Sequence, residues 1–409
     1  MTIPVGVFLP TFGGNQRRSG LELTAFARRA EELGFDSLWA TDHLLHGSVF
    51  YRTSLLDPIL SLTFAAAATS RVRLGTSILV MPTRHPVLLA KELSTLQALS
   101  GDRFILGVGT GWDEREFEAV GMHKRERGTR TDEAIELVRR LLSGERTSFR
   151  GRFAHLEDVE IGPAMEGRLP VWVAGGRQVP HAASPEPPRM APAVLRRIVR
   201  GDGWIARPTS LPSQIGEDLA EIRGSLDERG RDVGTFTVAH ENFLHLVVTE
   251  DAAEAEREQR EAFIEVMGEG RPFGYFQQVY LTGTLGEVRA KLDERLDAGV
   301  RYLMLHTLEP STRQLDLWAE HLFPWLAARA GPVPPAGGLG AQAASAEGRE
   351  HPSRKEDRSR RRATLGLSVH QPSSARIPRS PSAYRGNATS ASGIVGCQRF
   401  SHSTESHRS

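Results

Sequence analysis

The 409-residue chain holds one cysteine, Cys397, in a polar C-terminal stretch, which excludes both an intramolecular disulfide and a cysteine metal cluster. No segment approaches the ~18 uninterrupted apolar residues of a membrane-spanning helix. The strand-like IPVGVFLP begins at once, without the basic region and apolar stretch of a leader. A cytoplasmic protein is expected. Charge of one sign is also missing: 51 basic against 50 acidic residues leave a formal charge of +1, which predicts neither a nucleic-acid nor a membrane partner. Lysine is scarce. Lys91, Lys124, Lys291 and Lys355 are the only four, so 47 of the 51 basic residues are arginine, as in proteins of GC-rich genomes. There is no GxGxxG after the first strand, no HExxH, no GxSxG elbow and no P-loop. His85 reads as a helix-entry residue, and His240, Glu241, His245 and His306 have no ligand spacing, so no metal site is expected.

What is present is alternation. At 39% hydrophobic residues the chain can bury a substantial core, and its apolar runs of strand length alternate with stretches of helical period. Strands are read at Val5–Leu9, Ser37–Ala40, Val72–Leu79, Arg103–Val108, Val171–Ala174, Gly203–Ala206, Val238–Val248 and Tyr302–Leu305. Helices are read at Leu21–Leu33 (stopped by Gly34), Leu55–Ala68, Val87–Leu99, Asp132–Leu142 and, closing the fold, Leu315–Leu326. Eight such units over about 325 residues predict an α/β fold, a single (β/α)8 TIM barrel with insertions, rather than an open doubly wound sheet.

Three insertions interrupt the alternation. Ser148–Ile161 reads as a hairpin, and Gln178–Pro192 is too Pro-rich for a helix. Glu261–Leu281, with Gly268, Gly270, Gly274 and the aromatics Phe273, Tyr275 and Phe276, reads as a loop that either lids a substrate pocket or packs at the edge. From Gly331 the composition turns Pro-, Ser- and Arg-rich, which predicts a barrel over 1–330 and a disordered low-complexity tail over 331–409. The run Arg358–Arg362 within it reads as a solvated extension.

The candidate site residues all follow strand ends, where a barrel of this kind assembles its active site. Asp42-His43 follows the second strand, and His43 has the side chain suited to proton exchange near neutrality. LGTSILVMPT (Leu74–Thr83) ends the third strand. GVGTGWDEREFEAVG (Gly107–Gly121) ends the fourth, where Gly109 and Gly111 would let backbone approach a planar ring without a Cβ clash. VWVAGGRQ (Val171–Gln178) ends the fifth, and its glycine pair with Arg177 suits a phosphate.

Together these segments, over roughly Ile3 to Leu326, resemble the luciferase-like monooxygenase superfamily, and most closely its F420-dependent oxidoreductases. The resemblance implies a bacterial-luciferase type barrel with a flavin or deazaflavin in its mouth. It implies a bulge containing a non-proline cis peptide at Ser77-Ile78, with Thr76, Ser77 and Ile78 backing the ring. Asp42 would meet the ring's polar edge and His43 would be catalytic, facing the reacting carbon or the substrate. Gly109, Thr110 and Gly111 would pass along the cofactor, and Gly175, Gly176 and Arg177 would hold its phosphate. Trp112 stands where the glucose-6-phosphate dehydrogenase branch carries glutamate, which argues against that substrate. Trp204 reads as core, with Arg207 and Thr209 reaching the mouth.

The expected function is two-electron hydride transfer between F420 and a small organic substrate, by an enzyme expected to be a homodimer. One alternative is an FMN-dependent monooxygenase on the same fold, using O2 and a partner flavin reductase. The other is a flavin-binding barrel without catalysis.

Overall fold

Parallel strands bonded edge to edge bury both faces, so they read as continuous apolar runs. The segment FILGVG, buried at all six positions, is such a strand. The computed structural model describes residues 3–11, 19–47, 54–180 and 189–329. Its elements are β1 (Val5–Phe8), α1 (Gly20–Leu33), β2 (Ser37–Ala40), α2 (Pro58–Ala68), β3 (Arg73–Thr76), β4 (Leu79–Val80), α3 (Pro86–Ser100), β5 (Phe104–Gly109), α4 (Glu114–Ala119) and α5 (Arg127–Leu142). They continue with β6 (Thr147–Arg150), β7 (His155–Val159), β8 (Val171–Gly175), α6 (Pro192–Ile198), β9 (Gly203–Ala206), α7 (Pro212–Asp227) and β10 (Thr237–Phe243). The last are α8 (Ala252–Met267), α9 (Phe273–Val279), α10 (Leu285–Asp297), β11 (Tyr302–His306), α11 (Arg313–His321) and α12 (Phe323–Arg329).

The sheet closes. β1 pairs with both β2 and β11, and the circuit runs through β3, β5, β8, β9 and β10, every pair parallel. β3 and β4 are one stave broken at Ser77-Ile78, and both halves pair with β5. That makes eight staves. The break is the one departure within the predicted strand Val72–Leu79.

Local chemistry explains the element ends. Ser19 and Glu22 form a reciprocal capping box at the start of α1, and Gly34 ends that helix in the left-handed conformation expected of its C-cap. Pro86 opens α3 at a position whose N–H a helix does not use. The barrel interior is filled by large side chains, among them Phe8, Trp39, Trp172, Ile205 and Met304. At its lower rim the Tyr302 hydroxyl bonds to Asp36 and, at 2.7 Å, to Ser37.

The insertions divide. Thr147–Val159 is the expected antiparallel hairpin. Glu261–Leu281 is not a loop: α8 runs through it to Met267 and α9 occupies Phe273–Val279. The loop reading fails because its glycines and proline are boundary residues here, with Gly268 at a C-cap of φ 71° and Pro272 at an N-cap. Phe273 and Phe276 pack with Phe263, Tyr280 and the β10 residue Phe243, which favours packing over a lid for these rings. The seventh predicted strand stops at Phe243, although the chain stays buried to Val247. Beyond it side chains replace the ladder: Leu246 N–H donates to Gln314 Oε1 at 2.7 Å, and Gln259 Nε2 donates to the His245 carbonyl at 3.1 Å. The closing helix is two helices, α11 and α12, meeting at Leu322. Of the Pro-rich insert, 181–188 lie outside the described residues, as do 331–409 and with them the predicted tail. Among the described residues no helix is long and apolar enough to cross a membrane.

Candidate active site

Asp42 and His43 leave β2 at the mouth of the barrel and turn to different partners. The buried Asp42 carboxylate accepts from the Val80 N–H at 3.0 Å and from Arg84 Nη2 at 2.9 Å. Arg84 reaches Asp57 at 2.9 Å as well. Burial would lower the Arg84 pKa, but Asp42 and Asp57 outweigh it and keep the guanidinium charged. Asp42 therefore ties the end of β2 to the segment after the bulge.

His43 turns to α4. Its Nδ1 lies 3.0 Å from Glu116 Oε1, which also accepts from the Leu44 N–H at 2.8 Å. Burial alone would raise the Glu116 pKa; His43 and the backbone N–H groups of Leu44 and Leu45 outweigh it and hold the carboxyl below its ordinary value. A carboxylate accepting at Nδ1 leaves Nε2 as the basic nitrogen of a neutral imidazole. The Trp112 ring meets His43 edge to face, centroids 5.6 Å apart. The histidine is oriented on two sides.

The bulge lies beside this dyad. Ser77-Ile78 is cis, as the resemblance implies. Thr76 Oγ1 donates to the Gly107 carbonyl at 2.8 Å, and a Cβ on Gly107 would stand 1.9 Å from the Thr76 oxygen, so only glycine permits the approach of β3 to β5. At Gly109 an added Cβ would lie 2.6 Å from Ile78 Cδ1. This glycine makes room for the bulge's own side chain, a use not anticipated from the sequence. Gly111 has φ 71° and faces Val80 and Phe117; Thr110, between the two, is half-buried. The Ser77 hydroxyl donates to Glu241 Oε2 at 2.6 Å, and Glu241 Oε1 lies 2.8 Å from His306 Nε2.

The phosphate-binding expectation meets a different arrangement. Gly175 and Gly176 end β8, with Gly176 at φ 114°. The Arg177 N–H donates to Asp218 Oδ2 at 2.6 Å, and its guanidinium engages Asp218, Glu221 (2.6 Å) and Glu217 (3.2 Å), all on α7. Asp218 Oδ2 would be 2.4 Å from a Cβ on Gly176, so a carboxylate stands at this turn. Arg177 engages three carboxylates where a phosphate ligand was expected, and so clamps α7 to the β8 turn. The opposite holds one strand on. Arg207, half-buried after β9, donates from Nη1 to the neutral Gln178 Oε1 at 3.1 Å, and Thr209 donates to the same oxygen at 3.3 Å. Burial lowers the Arg207 pKa; distant Asp218 offsets this while Arg127, a second cation, adds to it. Two half-buried arginines close enough to repel one another electrostatically suit an anion.

Of the residues singled out in the sequence, the structure puts His43 after β2, the bulge between β3 and β4, Gly109 at the end of β5 and Arg207 after β9. Sequence reasoning missed Glu116, Arg84 and the Ser77, Glu241, His306 chain. Glu116 carried a signal, since it lies in an acidic stretch after Trp112. Glu241 and His306 carried none, because 65 positions separate them and only the β10 and β11 pairing brings them together.

Comparison with known proteins bears on the family and the fold. Residues 3–312 match the sequence profile described as luciferase-like monooxygenase. An F420-dependent glucose-6-phosphate dehydrogenase of Kineococcus radiotolerans is 34% identical over 57% of this chain and 66% of its own length. An F420-dependent hydroxymycolic acid dehydrogenase of Mycobacterium tuberculosis is 33% identical over 57% of this chain and 61% of its own. The chain therefore spans less than two thirds of either relative. Among solved structures, the monooxygenase RslO1 of Streptomyces bottropensis superposes with a TM-score of 0.65 at 25% identity, covering 79% of this chain and 99% of that one.

Proposed function

The chain belongs to the luciferase-like monooxygenase family, and we propose that within it this protein is an F420-dependent oxidoreductase acting on a small organic substrate in the barrel mouth. The observation that carries the reading is the His43–Glu116 dyad standing beside the Ser77-Ile78 bulge. The two relatives named as F420-dependent dehydrogenases support it. When bound, a deazaflavin supplies two-electron hydride chemistry, and the protein supplies orientation and electrostatics.

The residues fit such a group. Ile78 is only half-buried and offers an apolar backstop at the mouth, braced by Gly109 and Thr76. Arg207 and Arg127 offer cationic charge for the anionic part of the cofactor, in place of Arg177. A substrate that gains or loses hydride at carbon also exchanges a proton at oxygen or nitrogen. His43 Nε2 is the atom that takes or gives it, while Glu116 holds the ring and balances the imidazolium. Trp112 supplies no proton, so the mouth differs at this position from one in which a carboxylic acid serves there. The substrate is accordingly expected to be something other than glucose 6-phosphate.

The FMN-dependent monooxygenase reading draws on the RslO1 likeness. Fluorescence titration of the purified protein with oxidised F420 and with FMN separates the two. Tight binding of FMN, with F420 failing to bind, would reject the F420 assignment and bring in a partner reductase.

The reading includes a homodimer, which α2 supports. Its sequence, PILSLTFAAAA, has no charged residue, yet Leu60 and Phe64 are 66% and 53% exposed on it. A helix apolar on every side is a buried helix, and on this barrel a second copy is the occupant that completes it.

A further inference from the structure

Glu241 is a buried carboxylate that the proton chemistry of His43 leaves unused. It lies on β10, and its two oxygens are divided between two strands: Oε2 accepts the Ser77 hydroxyl at 2.6 Å and Oε1 faces His306 Nε2 at 2.8 Å. The His306 imidazole is itself clamped, stacked between Phe8 and Phe243 with centroids 3.4 Å and 4.1 Å away. Its side chain is 1% exposed, whereas that of Glu241 is 11% exposed and so borders the mouth. Burying a carboxylate and an imidazole together is costly, and apolar side chains of similar volume would often fill such a site with no loss of stability. A pair kept at that cost inside a mouth is a candidate for function.

We propose that Glu241 is a positioning residue for the cofactor backstop. It grips the bulge through the Ser77 hydroxyl, and His306 anchors it against the barrel interior. The bulge interrupts the ladder between β3 and β4, so it has fewer backbone bonds than its neighbours to fix it. At its edges one such bond is present, from the Ser77 N–H to the Ala40 carbonyl at 2.9 Å, and the Val80 N–H donates to the Asp42 carboxylate at 3.0 Å. The Ser77 to Glu241 bond is a side-chain to side-chain link that pulls the middle of the bulge toward the opposite wall.

The part of this inference that concerns the cofactor rests on the function proposed above; the grip itself does not. Amide hydrogen exchange over residues 76–80, in the full chain without cofactor, reads the grip directly. Ser77→Ala and Glu241→Ala should each speed that exchange by about tenfold or more, the range expected for a lost bond to a buried charge. Exchange in β9 should stay as in the parent protein. The double variant should be no faster than Glu241→Ala alone, and Glu241→Gln, which keeps an acceptor for Ser77, should restore slow exchange. Additive effects, or unchanged exchange in Ser77→Ala, would overturn the proposal. Ser77→Ala removes a single oxygen and still decides the matter if Glu241→Ala fails to fold. Titration with oxidised F420 should then show weaker binding in Ser77→Ala. If the parent protein binds no F420, the proposed function falls while the exchange result stands on its own.

Discussion

His43 can carry a proton at Nε2 only while its other nitrogen is committed, and Glu116 makes that commitment. Replacing His43 with Ala should therefore lower turnover by about 10²–10⁴-fold, the usual weight of a positioned acid or base, with little change in F420 affinity. Full activity in that variant would reduce His43 to a packing residue. Glu116→Gln should cost less turnover and should also alter the acid limb of unfolding. The sign follows from the lowered carboxyl: its contribution to stability is complete above the ordinary value of 4.5 and is lost as pH falls through the folded value. The glutamine variant should be less stable than the parent near neutrality and flatter below that pH, measured as urea midpoints. The two arginines separate in the same way. Arg207→Met should weaken cofactor binding while melting as the parent does, whereas Arg177→Met should lower the melting temperature, since it strips Asp218 of its guanidinium partner. The reverse pattern would return the phosphate to the β8 turn. At this scale the sequence was half legible. GWDEREFE offers four acids after Trp112, and only the fold shows that Asp113 is spent on Arg115 and on capping α4 while Glu116 turns back to His43.

The bulge shows how an element can be legible while its mechanics are not. Its position was readable from LGTSIL, but Gly109 was read only as cofactor clearance, and the structure also places Ile78 against it. Gly109→Val would force that side chain toward the mouth from a neighbour 2.6 Å away, so the backstop should move and F420 binding should weaken severely. Normal F420 affinity in Gly109→Val would show that the bulge absorbs the clash without moving its outer face. Helices α8 and α9 were illegible for a related reason. Gly268, Gly270, Pro272 and Gly274 look like a loop when counted, and they punctuate two helices when placed. Composition records which residues are near a break, not on which side of it the chain resumes. The eight staves suffered little from this, because a parallel strand is a short apolar run whose ends are set by its neighbours' lengths.

Two properties belong to the whole molecule. The uncharged α2 predicts association: Phe64→Glu with Leu60→Glu should shift the protein from dimer to monomer in sedimentation, and a parent that sediments as a monomer would remove the argument. The second property is the response to acid. His240 within β10, His245 just after it and His306 at the end of β11 are all buried, and burial lowers the pKa of each below 6.5, most strongly for His240. Neighbouring charge does not reverse this: Arg295 adds to the fall at His240, while Glu241 only partly opposes it at His306. The fold thus keeps these rings neutral, while the unfolded chain takes up protons as pH passes 6.5. Stability is then complete above that value and declines below it, at up to about 1.4 kcal/mol per histidine per pH unit until each folded value is reached. Urea midpoints measured between about pH 7.5 and about pH 5.5 should fall, and His240→Asn should flatten the slope. A midpoint that holds constant across that range would mean the rings are solvated or already charged. The His306 to Glu241 bond would then have to be redrawn as an ion pair, and with it the charge the barrel carries beneath its own bulge.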